Sequence, residues 1–267
     1  MMQHTLKARK RFGQNFLQDP MIISEIIEAI DPKEDQHIVE IGPGHAALTE
    51  HLIKTCQTLD VIEIDRDLVP LIQARFANQS HFKIYQADAL NFDYTQLIRS
   101  SNKLRIVGNL PYNITTPLLF HLLSQAVVIS DMCFMLQQEV VERICAQPGT
   151  KIYGKLSIMI QYQCEAVYLF SVPPEAFFPK PKVDSAIVYL KPLATTEKGP
   201  VTVAALNTIV SKAFSQRRKS ISNTLKNMVS PGQLTDLGID PKLRPEVLSI
   251  TDYVAITQTW LDKMSEQ

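Results

Sequence analysis

Cysteine and histidine are sparse in this sequence, four and six among 267 residues, and neither set is spaced to hold a metal. Cys56, Cys133, Cys145 and Cys164 contain no C-x-x-C pair, and no H-x-x-x-H or mixed Cys/His cluster accompanies them. No structural or catalytic metal is therefore expected. With no leader segment in front, the thiols are expected to stay reduced in a cytoplasmic protein. Net charge is missing too: 27 basic residues cancel 27 acidic ones, so overall charge points to no partner. Nor is there a long apolar run. The most apolar stretch, Pro117 to Leu136, is broken by His121, Ser124, Gln125, Ser130 and Asp131, which excludes the ~20 consecutive apolar residues of a membrane span. Finally, the turn Gly42-Pro43-Gly44 lacks the third glycine of a dinucleotide loop, with Ala46-Ala47 in that neighbourhood. That gap, and the lack of a histidine or tyrosine hydride-transfer dyad, count against a nicotinamide dehydrogenase.

What is present is a globular composition with unevenly placed charge. Hydrophobic residues make up 45% of the chain, enough for one large α/β domain and a smaller appendage. Lys7, Arg9, Lys10 and Arg11 open the chain with no acid among them, and six basic residues but no acid lie between Lys198 and Thr235. Conversely, Asp19 to Asp67 carries twelve acids against Lys33, Lys54 and Arg66. Two basic segments on a neutral chain suit a polyanion bound through one face, while each segment alone is also compatible with ordinary solvated charge.

Apolar periodicity gives the order of elements. Asp19-Pro20 starts a helix over Met21 to Ile30, whose isoleucines fall on one face, and Asp31-Pro32 ends it. His37 to Ile41 is a short strand, followed by the glycine turn and a helical pattern carrying Leu48, Leu52 and Ile53. Strand, glycine turn and helix form a nucleotide-binding unit, in which bare backbone and a helix start approach the ligand. Further strands are expected over Leu59 to Ile64, Phe82 to Ala89, Leu104 to Gly108, Asp131 to Leu136, Glu165 to Phe170 and Ser185 to Leu190. Helices are expected from Thr115-Thr116-Pro117 onward, over Gln137 to Cys145 and over Leu156 to Cys164, with a loop at Pro148 to Lys155. Pro192 to Pro200 is linker-like. Beyond it, helical spacing over Val203 to Phe214, Ile221 to Met228 and Tyr253 to Met264, broken at Pro231-Gly232 and Pro241, predicts a small all-helical domain. The expected division is 1–191, a linker 192–200, and 201–267.

The strand ends carry the chemistry. In an open parallel sheet, ligands bind outside the carboxyl ends of the strands, and consecutive ends here offer Gly42, Glu63, Asp88 and Asn109. Glu63 follows Gly42 by about twenty residues, the place of a ribose-binding carboxylate in this architecture. Asp88 suits either an adenine amine or a helix cap. Asn109-Leu110-Pro111-Tyr112 reads either as a simple turn with a half-buried tyrosine or as a site for an aryl amine. In the second reading the Asn109 side-chain oxygen and the Leu110 carbonyl accept the two N–H hydrogens, Pro111 stiffens the turn and Tyr112 stacks on the ring. The proline-rich loop Pro173 to Val183 either presents an aromatic ring to a flipped base, with Lys180 and Lys182 on phosphates, or is pinned to the core by Phe177 and Phe178. Gln216-Arg217-Arg218-Lys219 is a compact basic patch suited to a phosphate backbone.

With these residues in place, the chain closely resembles the ribosomal RNA adenine dimethyltransferases over nearly its full length. The likeness lies in Gly13-Gln14-Asn15-Phe16-Leu17, Glu40-Ile41-Gly42-Pro43-Gly44, Glu63-Ile64-Asp65, Asp88-Ala89, Asn109-Leu110-Pro111-Tyr112, Tyr153-Gly154-Lys155-Leu156-Ser157, and Phe178 to Ser185. The resemblance implies a Rossmann-like S-adenosylmethionine-dependent methyltransferase domain followed by the helical domain. It implies S-adenosylmethionine on Asn15, Leu17, Gly42, Glu63, Asp88 and Asn109, with Glu63 on the ribose hydroxyls and Asp88 on the adenine amine. Asn109, Leu110, Pro111, Tyr112 and Phe178 would then form the catalytic and base-stacking surface. The RNA contacts would fall on Lys7, Arg9, Lys10, Arg11, Lys180, Lys182, Arg217, Arg218 and Lys219. The substrate implied is two adjacent adenosines in a hairpin loop near the end of small-subunit ribosomal RNA, within an immature particle; a monomeric protein is expected. A large-subunit RNA methyltransferase conferring antibiotic resistance and a non-catalytic assembly factor are the alternatives.

Overall fold

The computed structural model describes residues 15–99, 102–194 and 199–265; Lys7, Arg9, Lys10 and Arg11 lie outside the described residues. The chain divides into two compact units, residues 1–141 with 167–192, and residues 142–166 with 193–267.

In chain order the elements are β1 (Phe16–Leu17), α1 (Pro20–Ile30), β2 (His37–Ile41), α2 (Thr49–Leu52), β3 (Thr58–Glu63), α3 (Val69–Arg75), β4 (Phe82–Gln86), β5 (Leu104–Asn109), α4 (Thr115–Ser124), β6 (Ile129–Gln137), α5 (Gln138–Ile144), α6 (Lys155–Gln161), β7 (Cys164–Val172), β8 (Phe177–Phe178) and β9 (Ser185–Pro192). Seven strands form one sheet in the order β4-β3-β2-β5-β6-β9-β7. The neighbours from β4 to β6 run parallel, and β9 runs antiparallel to β6. The apolar runs of β2, β3, β5 and β6 suit parallel strands covered on both faces; all five residues of β2 are buried, whereas no residue of the edge strand β4 is. α1 starts where Asp19 caps it, its carboxylate accepting from the backbone N–H groups of Met21 and Ile22 at 2.9 and 3.3 Å, with Pro20 in the turn that needs no donor. Ile26 and Ile30 of α1 enter the same core as Ile38, Val61, Val107 and Phe177.

Two features position the site. The chain steps outward from β2 to β3 and β4, then returns to the other flank of β2 as β5, so the β2–β5 seam is the switch point of the sheet. Gly108 makes that seam close, because a Cβ there would stand 2.4 Å from the Ile41 carbonyl oxygen. At the opposite, amino-terminal ends of the strands, Arg105 acts as a clamp. Its Nε donates to both Asp131 carboxylate oxygens at 2.9 and 3.1 Å, and its terminal nitrogens donate to the Ile30 and Asp31 carbonyls and to Gln36 Oε1 at 2.7, 3.2 and 2.7 Å. Separately, β1 and β8 pair antiparallel as a two-stranded ribbon, Phe16 opposite Phe178 and Leu17 opposite Phe177.

The second unit holds α6 against α7 (Val203–Phe214), followed by α8 (Ile221–Thr224), α9 (Pro231–Asp236) and α10 (Ile250–Ser265). Lys155 Nζ donates to Ser211 Oγ at 2.8 Å. These contacts group residues 142–166 with the C-terminal helices, where the sequence expectation assigned them to the first domain.

Four expected elements differ. β4 ends at Gln86, so Asp88 lies in the loop beyond the strand. The helix after the glycine turn is a single turn, because Ala46 takes φ +67° and breaks the run before Thr49. The helix expected over Ile221 to Met228 stops at Thr224. Pro231 opens a helix rather than breaking one: the Ser230 hydroxyl accepts from the Gln233 N–H while the Gln233 side chain accepts from the Ser230 N–H, a capping box with proline in the first turn.

Candidate active site at the β2–β5 seam

A cleft of about 250 Å³ opens at the carboxyl ends of the central strands in the first unit. Asn15, Leu17, Gly42, Glu63, Asp88 and Asn109 all line it, as do Leu110, Pro111 and Tyr112. Its floor is bare backbone. Gly42 has φ +67°, and a Cβ there would sit 3.8 Å from the Asn109 carbonyl oxygen; a Cβ on Gly44 would sit 2.9 Å from the Phe16 ring. Positive φ favours glycine at both positions, and at Gly44 the Phe16 ring leaves no room for a Cβ.

Three residues that the sequence expectation did not assign to the site also face this cleft. Phe16 and His45 line it and stack on each other, centroids 3.9 Å apart and planes 19° from parallel. Burial lowers the His45 pKa and the nearby Arg75 lowers it further, so the ring is neutral at physiological pH. Glu40, on β2, is 2% exposed and accepts from the Thr49 hydroxyl at 2.6 Å. Burial pushes its carboxyl up to about 7, the Thr49 hydroxyl opposing and the Glu63 charge adding to the rise. Its one sequence signal was a lone acid inside the apolar run His37 to Ile41.

Glu63, 5% exposed at the end of β3, accepts from the Asp65 N–H through Oε1 at 2.8 Å. Burial raises its pKa, opposed by the N–H groups of Asp65, Ile64 and Gly44. Asp88 lines the cleft, and no helix follows that it could cap: the next helical turn, Tyr94–Leu97, is capped by Asp93. The Asp88 carboxylate accepts from the Leu90 N–H and the Asn91 side-chain amide, each at 3.0 Å.

Asn109 is the last residue of β5, and its amide has a fixed orientation. Nδ2 donates to the Asn15 carbonyl at 3.1 Å, which leaves Oδ1 as the end of the amide that can accept. Behind it the Leu110 N–H donates to the Met135 carbonyl at 3.1 Å, and the Pro111 carbonyl accepts from the Ile114 N–H and the Thr115 hydroxyl, both at 3.2 Å. The Tyr112 hydroxyl lies 3.0 Å from Ser185 Oγ, which anchors the ring from β9. The proline-rich loop resolves into both of its alternatives, one phenylalanine each. Phe177 is buried in the core, whereas Phe178 is 67% exposed. Phe178 does not line the cleft; its ribbon partner Phe16 does.

The candidate RNA contacts have distinct surroundings. Lys180 pairs with Glu175, and Lys182 is exposed. In the second unit, one guanidinium nitrogen of Arg217 donates to the Lys151 and Tyr153 carbonyls at 2.9 and 3.1 Å, and the group lies over the Phe214 ring. Arg217 therefore fastens the loop before α6, while Arg218 and Lys219 are exposed. Among the described residues there is no group of three metal-ligating side chains and no helix long and apolar enough to cross a membrane.

Comparison with known proteins agrees with this geometry. The sequence profile of the family described as ribosomal RNA adenine dimethylase matches residues 5–262. A protein of Pseudomonas aeruginosa named ribosomal RNA small subunit methyltransferase A is 52% identical over 256 residues, covering 96% of this chain and 95% of its own. One of the same name from Marinobacter nauticus is 52% identical, covering 97% and 94%. Among solved structures, a dimethyladenosine transferase from Plasmodium falciparum aligns with TM-score 0.81 at 24% identity, covering 93% of this chain and 98% of that one. The 23S rRNA methyltransferase ErmE aligns with TM-score 0.71 at 23% identity, covering 92% and 99%. The fold is thus a Rossmann-like methyltransferase fold with a helical C-terminal part, and the chain belongs to the ribosomal RNA adenine dimethylase family.

Proposed function

We propose that this chain uses S-adenosylmethionine to dimethylate the exocyclic amines of two adjacent adenosines in a hairpin loop near the 3′ end of small-subunit ribosomal RNA. It does so as a monomer in the cytoplasm, on an immature subunit. The observation that carries this reading is the oriented Asn109 amide, held by Asn15 so that Oδ1 accepts. An aryl amine is a poor nucleophile because its lone pair is delocalised into the ring. Accepting its two hydrogens at Asn109 Oδ1 and the Leu110 carbonyl draws the nitrogen toward a tetrahedral form, as preorganised dipoles do wherever charge develops. Tyr112, anchored through Ser185, and Phe178 on the ribbon supply the stacking faces for an extruded base. Unpaired loop bases cost little to extrude, which favours a hairpin substrate.

What supports S-adenosylmethionine as the donor is a cleft with a buried carboxylate at Glu63 for the ribose diol, Asp88 for the adenine amine, and a bare positive-φ backbone at Gly42. When bound, S-adenosylmethionine supplies a sulfonium methyl for direct displacement by nitrogen, chemistry that needs no covalent enzyme intermediate. The protein's part is alignment and exclusion of water. Residues 201–267, beyond the linker 192–200, serve the RNA particle, with Arg218 and Lys219 on phosphates and Lys180 and Lys182 doing the same for the methyltransferase part.

The test is to incubate labelled S-adenosylmethionine with unmethylated small subunits and, in parallel, with large-subunit RNA, and to analyse the released nucleosides by mass. Dimethyladenosine from the small subunit is expected. Methylation of the large-subunit RNA alone, or of neither, would overturn the substrate assignment.

A further inference from the structure

We propose that Glu40 makes the cleft choose its occupant by charge, holding a sulfonium donor in preference to the neutral thioether that remains after transfer. The inference rests on the S-adenosylmethionine reading above and assigns a role to a buried acid that the transfer chemistry leaves unused. The lining is one-sided. Glu40, Glu63 and Asp88 contribute carboxylates, no lysine or arginine lines the cleft among the described residues, and burial disfavours a charge on His45.

Among the described residues, no cation is among the groups acting on Glu40. From the α2 side come the Thr49 hydroxyl and, just after that helix, the Cys56 thiol, which burial keeps protonated. From β3 comes the carboxylate of Glu63, and across from it on β5 stands Val107. A buried carboxylate with only a hydroxyl for company retains its proton near neutrality, in line with the rise to about 7. A cationic occupant supplies the missing counter-charge, and Glu40 then releases its proton to solvent.

Methyl transfer removes that counter-charge. The C–S bond breaks with its electron pair left on sulfur, the C–N bond forms, and the amine gives one proton to solvent. Glu40 thereupon takes back a proton, the attraction lapses, and the product is held less tightly than the donor was.

The experiment is calorimetric binding of S-adenosylmethionine and S-adenosylhomocysteine to the full chain and to Glu40→Gln, in buffers of different ionisation heat. At about pH 6.5 the ligands' own α-amino groups, with reference pKa near 7.7–8.0, are charged and contribute little. The wild-type chain is expected to release a large fraction of a proton with the sulfonium and almost none with the thioether. Its sulfonium preference should grow from pH 6 to pH 8 and fall roughly tenfold in Glu40→Gln. Equal proton release with both ligands in the wild type overturns the inference even if the variant fails to fold, and so does an unchanged preference in Glu40→Gln. Failure of either ligand to bind the wild-type chain would remove the cofactor reading itself and this inference with it.

Discussion

Removing the Asn109 side chain deletes one acceptor and leaves the turn behind it intact, since that turn is held by the Leu110 N–H and the Pro111 carbonyl. Asn109→Ala is therefore expected to lower methylation by about 10²–10³-fold, the scale of losing one preorganised polar contact, while binding to small subunits, followed by sedimentation, persists. Near-normal methylation would show that the amide is not the acceptor. Glu40 gives a prediction about stability. Below about pH 4.5 it is protonated in the folded and unfolded chain alike; between there and about 7 only the folded chain keeps the proton. The folded state then binds more protons, so stability falls as pH rises, by about 3 kcal/mol once pH exceeds the folded value. Glu40→Gln, which can still accept from Thr49, should flatten that fall in urea titrations across this range; a parallel decline in the variant would rule Glu40 out as its source. Gly42, Glu63, Asp88 and Asn109 were legible as residues of the cleft because they fall at or just beyond successive strand ends. Glu40 was not, since a lone acid in an apolar strand does not reveal which space it faces, and neither was the Phe16–His45 stack, which exists only once two distant turns meet.

At the scale of elements, the β2–β5 seam tolerates nothing larger than hydrogen at residue 108. Gly108→Ala should cost about 1–3 kcal/mol as an overpacked core site does, and should weaken cofactor binding as well, because Asn109 and Gly42 shift apart. Unchanged melting and binding would mean that the seam can relax. Arg105 is a second fixed point. Its side chain is 11% exposed and its Asp131 partner 13%, so Arg105→Met strands a nearly buried carboxylate and two carbonyls, with an expected loss of about 3–5 kcal/mol. Arg105→Lys should recover little of it, since one ammonium cannot reach the partners of a planar fork; full recovery of the denaturation midpoint would contradict that geometry. The strand cores were read correctly from apolar runs, and β2 from His37 to Ile41 matches to the residue. Periodicity failed where backbone conformation decides: the positive φ at Ala46 cuts short the helix after the glycine turn, and Pro231 marks a beginning rather than an end because Ser230 and Gln233 cap it.

For the whole molecule, a neutral chain must hold a polyanion by local placement of charge. Arg218→Gln with Lys219→Gln should weaken binding to the RNA particle and flatten its logarithmic salt dependence by about 1–2, at roughly 0.7 per lost phosphate contact for single strands, without changing cofactor affinity. Equal loss of both would show damage to the fold instead. Adding Arg217→Gln should lower stability as well, because that guanidinium holds the Lys151 and Tyr153 carbonyls. A linker-like stretch from Pro192 to Pro200 was legible in the sequence, but the grouping of residues 142–166 with the C-terminal helices was not, because it depends on α6 meeting a helix some fifty residues later. The position of β9 has a further consequence. Although it is the last strand of the sheet to leave the ribosome, it does not add to an edge; it occupies the slot between β6 and β7. A nascent chain that ends before Ser185 leaves β6 unpaired on one side and deprives Tyr112 of its anchor. The sheet that carries the site thus closes only once about seven tenths of the 267 residues have been made.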